Sequence, residues 1–119
     1  MATLQETMDA VMSINGALGV AIVDRNSGLT LGSIGDSINL ELAASGNVNV
    51  LRANQKVMRD LGLKETIEDL LITLSSQYHV IRPVTANPDV YIYVILKREH
   101  TNLGMARYEL QSIEKRLQI

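Results

Sequence analysis

The sequence predicts an α+β domain: a five-stranded antiparallel sheet with helices on both faces, in the order helix, two strands, helix, three strands, helix. Three stretches predict it. The proline-free run 39–61 reads as one helix of about six turns, roughly 33 Å long. Val90 to Lys97 (VYIYVILK) alternates Val90, Ile92, Val94 and Leu96 with Tyr91, Tyr93 and Ile95, so both faces are apolar and the strand belongs in the middle of a sheet. Leu103, Ala106, Leu110, Ile113 and Leu117 recur at steps of three and four, the signature of an amphipathic helix from Asn102 to the end.

The remaining elements follow in order. Thr3 and Glu6 have capping-box spacing, and Leu4, Met8 and Val11 mark a short helix ending near Ile14. Asn15-Gly16 ends it. Gly16 and Gly19 do not make a phosphate loop, because neither GxxxxGK[ST] nor GxGxxG follows. Residues 18–24 (LGVAIVD) form an apolar strand. Residues 25–28 (RNSG) form a hairpin turn in which Asn26 and Gly28 suit positive φ, and Asp24 at its corner bonds turn amides. The return strand runs through Leu29 to Ile34. Residues 64–75 carry both helical spacing (Ile67, Leu70, Leu71, Leu74) and strand-favouring Thr66, Ile72 and Thr73. Two strands follow closely, 78–84 and Val90 to Lys97, so a meander is the economical reading and 65–74 is taken as a strand.

On a helical wheel the long helix places Glu41, Ser45, Asn49, Arg52, Lys56 and Arg59 on one polar stripe. The remaining arc, about 240° wide, far exceeds the ~100° that packing on one core requires. It divides into two seams: Leu40, Ala44, Leu51 and Met58, then Leu42, Gly46, Val50, Ala53 and Val57, with Asn47 and Asn54 between them one heptad apart. One seam covers the sheet. The other is served either by a sister helix from a second copy or by burial on two sides within one chain.

Composition narrows the function classes. The 119 residues fit one domain, 1–119, without linker or repeat. Phe, Trp and Cys are absent, so the core is aliphatic and thiolate metal sites and disulfides are excluded. The net charge of −2, evenly mixed, argues against a nucleic-acid footprint. No apolar run approaches the ~18 residues that a membrane span needs, and the N-terminus has no signal-segment pattern, so a cytoplasmic protein is expected. His79 and His100 share no metal-ligand spacing with other residues, and no GxSxG elbow surrounds Ser27. No cofactor, metal or catalytic residue is expected; a small hydrolase using Ser27 or His79 is the enzyme reading to be excluded.

The opening hairpin, residues 16–24 followed by Ser27-Gly28-Leu29, resembles that of the roadblock (dynein-light-chain roadblock-type) family: a glycine, a second glycine three on, an apolar strand, an acid and a turn glycine. The small-residue helix, the Tyr-rich last strand and the C-terminal helix match in order across the chain, and bacterial members of the MglB or conservon-B sort look similar. Asn26 and Ser27 stand where the family often has a second acid. The resemblance implies a roadblock/profilin-like sandwich and a homodimer. Its contacts would be Leu42, Gly46, Val50, Ala53 and Val57 on paired central helices, and residues 67–74 on paired edge strands, Ile67, Asp69, Leu71 and Thr73 among them. It further implies a non-catalytic adaptor that binds a bacterial Ras-like small GTPase and modulates its nucleotide cycle, with Ser45, Asn49, Arg52, Lys56 and Arg59 facing the partner. An arginine finger has no support in the residues. The alternative is a signalling scaffold or small-ligand-sensing domain associated with a sensor kinase.

Overall fold

The computed structural model describes residues 1–35 and 39–118. Its elements are α1 (Leu4–Met12), β1 (Ala17–Asp24), β2 (Thr30–Ile34), α2 (Leu40–Asp60), β3 (Leu70–Thr73), β4 (Gln77–Pro83), β5 (Val90–Lys97) and α3 (Leu103–Glu114). A single turn of 3-10 helix, Arg98–His100, joins β5 to α3. The strands form one antiparallel sheet in the order β2-β1-β5-β4-β3. This is the expected α+β architecture, with β5 in the centre.

The alternation of β5 divides the core in two. Val90, Ile92, Val94 and Leu96 point into a cluster closed by Met8 and Val11 of α1 and Ala106 and Leu110 of α3. Tyr91, Tyr93 and Ile95 point the other way, under Leu40, Ala44, Val48 and Leu51 of α2. Among the described residues, one face thus carries two helices and the other α2.

Local signals explain the element ends. The Thr3–Glu6 capping box closes in both directions, at 3.2 and 3.1 Å. The Asn39 side chain accepts from the Leu42 amide, and α2 stops in a Schellman motif: Gly62 (φ 71°) donates to the Arg59 carbonyl and Leu63 to that of Met58. In the β1–β2 turn, Asp24 accepts from the Asn26 amide at 3.1 Å and the Ser27 hydroxyl at 2.9 Å, as its corner position implies. The positive φ there falls on Gly28 alone and not on Asn26.

Two expected boundaries are corrected. The strand expected over 65–74 is confined to Leu70–Thr73. Leu70 pairs with Ile81, so an extension backwards would set Glu68 against Pro83, which has no N–H to offer the ladder. α3 ends at Glu114 instead of continuing; Ile119, the last residue of the expected helix, lies outside the described residues.

Gly16 adopts φ 90°, and a Cβ there would stand 2.1 Å from the Thr101 hydroxyl oxygen. That hydroxyl already donates to the Lys97 carbonyl at 2.7 Å. The glycine of the opening motif therefore serves a tight strand entry. Gly16→Ala is expected to cost about 2 kcal/mol in a urea denaturation curve, from backbone strain together with displacement of Thr101.

Candidate interaction surface

The inner face of α2 is settled within the chain. Leu40, Ala44, Val48 and Leu51 are buried, and the Tyr91 hydroxyl donates to the Ala44 carbonyl at 2.9 Å, fixing the helix to the central strand. Val48 belongs to this seam, whereas Met58, expected in it, is only half-buried.

The outer face is uncovered. Leu42, Val50 and Val57 are 69%, 39% and 54% exposed, Gly46 and Ala53 lie open between them, and a Cβ on Gly46 would meet no atom within 4 Å. The five residues expected on the second seam thus share one apolar face that the described residues leave open.

The polar stripe lies along the flank of α2 that faces the β1–β2 hairpin, and much of it is already engaged. The Arg52 guanidinium donates to the carbonyls of Arg25 and Asn26, the latter at 3.1 Å. Arg25 returns the link, donating to Gln55 at 3.2 Å and pairing with Asp89 at 3.4 Å. Lys56 pairs with Asp60 at 2.8 Å, and the Ser45 hydroxyl bonds the Leu42 carbonyl. Asn49 is exposed, and Arg59 lines an open cleft with Arg25, Met58, Leu63 and Pro83.

At the sheet edge, the residues named from the sequence separate. Leu71 turns toward the α1/α3 core, Thr73 is exposed, and Ile67 precedes the strand and packs beneath α2. Asp69 points into its own chain. It accepts two bonds from Arg107, each 2.9 Å, and lies 3.8 Å from Arg82. This fork raises the Arg107 pKa. Arg82 in turn meets Glu114, which is fully buried and also accepts from the amide and hydroxyl of Thr85 at 2.8 and 2.7 Å. The Arg107–Asp69–Arg82–Glu114 network clamps the segment before β3 to α3. Sequence reasoning missed it, although one signal was present: Glu114 lies one turn beyond Leu110, on the apolar stripe of its helix.

The Ser27 hydroxyl is held by Asp24, and the His79 ring lies between Tyr93 and Gln77. Among the described residues no cluster of three potential metal ligands occurs, and no helix is long and apolar enough to cross a membrane.

By sequence the chain matches no family model and no curated protein. By structure it superimposes on a Roadblock/LC7 domain from Streptomyces avermitilis with a TM-score of 0.81, at 16% identity, over 96% of this chain and 93% of the other. This is the roadblock fold. Myxococcus xanthus MglB shares it at a TM-score of 0.78 and 21% identity, over 91% and 79% of the two chains. So does an MglB described with a tetrameric arrangement, at 0.71 and 15%, over 93% and 87%. At such identities the likeness establishes the roadblock fold alone, and function has to be argued from the surface.

Proposed function

We propose that this chain is a non-catalytic homodimeric adaptor of the bacterial cytoplasm that binds a Ras-like small GTPase and modulates its nucleotide cycle. The observation that carries the reading is the bare outer face of α2. Leu42, Val50 and Val57 remain in water beside Gly46 and Ala53, on a helix already anchored by its opposite side. Removing that surface from water is favourable by about 25 cal/mol per Å², and small residues admit a second backbone. A helix flank about 31 Å long falls short of the ~800 Å² per partner of a standard interface, so the open edge of β3 completes the contact in this reading. Pairing that edge with its twin also protects it from indiscriminate strand addition.

The paired helices then present the stripe Ser45, Asn49, Arg52, Lys56 and Arg59 to the GTPase. Arg52, tied to two turn carbonyls, is not free to act as an inserted finger. That favours a partner that works on the switch loops of the GTPase itself. Capture on immobilised protein of the GTPase, loaded with GTP or GDP, is expected to retain one nucleotide state in clear excess. Absence of binding in both states rejects the reading. The ligand-sensing alternative, with or without a sensor kinase, finds less support: the clefts described, of about 260 to 690 Å³, are open to solvent, whereas small-molecule sites enclose most of their ligand.

A further inference from the structure

His79 occupies a strip of sheet between α2 and the open edge. It pairs with Ile95 of β5 on one side and Ile72 of β3 on the other, on the face that carries α2. Its ring is fixed at both nitrogens. Nδ1 lies 2.7 Å from the Tyr93 hydroxyl and Nε2 lies 2.9 Å from Gln77 Oε1. Gln77 Oε1 only accepts, so Nε2 carries the proton and Nδ1 accepts from Tyr93. Asn47 of α2 lies beside Tyr93, and its amide bonds the Ala43 carbonyl at 2.8 Å. The neutral ring thus ties Tyr93 of β5 to Gln77 at the start of β4.

A second proton disrupts that link. Nδ1 becomes a donor facing the Tyr93 hydroxyl, and the Tyr93 hydrogen loses its acceptor on a residue with 0% exposure. Among the described residues beside the ring, β5 contributes Tyr93 and Ile95, β3 contributes Ile72 and α2 contributes Asn47, and of these only Tyr93 titrates. Burial alone pushes the ring below its ordinary 6.5.

We propose that His79 makes self-association proton-linked, a second copy closing over the neutral ring and leaving when the ring takes up a proton. The inference rests on the paired-helix reading above. Its sign follows from burial. The separate chains hold His79 partly exposed; a twin joined through α2 and β3 covers the strip and depresses the ring further. The dimer then binds fewer protons than its separated chains, so association weakens as pH falls through the titration of the single chain.

Sedimentation equilibrium of the full chain at pH 7.5 and 5.5 tests this, with His79→Asn, which keeps an amide for Tyr93 but takes no proton, and His100→Asn as control. The dissociation constant of the unsubstituted chain and of His100→Asn is expected to rise at least about tenfold at pH 5.5. That of His79→Asn is expected to change by less than about twofold. An undiminished pH response in His79→Asn overturns the inference and leaves the dimer standing. A chain that is single at pH 7.5 overturns the dimer and the inference together. Should the substitution itself perturb pairing, the His79 ring resonance of the unsubstituted chain decides. Its midpoint is expected to be lower in concentrated than in dilute protein, and equal midpoints overturn the inference.

Discussion

Glu114→Ala is expected to lower the unfolding free energy by about 3–5 kcal/mol, the usual cost of breaking a buried ion pair from one side. Glu114 is fully buried and accepts from Arg82 at 3.3 Å and from both donors of Thr85. Its removal leaves the guanidinium of Arg82, itself 8% exposed, with only the 3.8 Å approach of Asp69. The thermal midpoint should fall on the order of 15 °C for a domain of this size. Arg107→Ala is the informative contrast. Arg107 makes the shorter contacts, but its side chain is 48% exposed and solvent replaces much of what is lost. Calorimetry showing the two variants equally stable would mean that the clamp derives nothing from burial.

Val50→Glu is expected to weaken self-association by at least about 100-fold, equivalent to roughly 3 kcal/mol, while leaving the fold intact. Val50 sits mid-helix on the bare face, opposite the buried seam, so the added carboxylate points to water in a single chain. In an antiparallel helix pair centred near it, two carboxylates would meet across the axis and lose their hydration. Velocity sedimentation should show one component at twice the chain mass for the parent and one at the chain mass for the variant. A variant that sediments like the parent, with unchanged circular dichroism, rejects pairing through this face and leaves the GTPase proposal without its platform.

These predictions draw unequally on the sequence. The Val50 face was legible because helical periodicity is a local property: Leu42, Gly46, Val50, Ala53 and Val57 share a face once Asn39 caps the helix and Gly62 stops it. The limits of β3 were not legible. Residues 64–75 satisfy helix spacing and strand composition together, and the contest is decided from outside, by Pro83 on the neighbouring strand and by the pull of Arg107 on Asp69. Asp69 shows the consequence. Counted along a continuous edge strand it belongs to an interface, yet the fold turns it inward. Arg52 shows the same on the polar stripe, where a side chain expected to face a partner reaches carbonyls 26 and 27 residues away in sequence.

By itself the sequence determined the order of elements, the two apolar faces of β5, its central place and the excess apolar girth of α2, since each follows from periods of 2 and 3.6 and from capping residues within a turn. Only the tertiary structure decided which charges are buried, which of the stripe's cations are already engaged and that His79 stands between Tyr93 and the open edge. Those outcomes depend on distances between segments far apart in the chain, and no local pattern encodes the partner that makes a buried charge or a bound proton affordable.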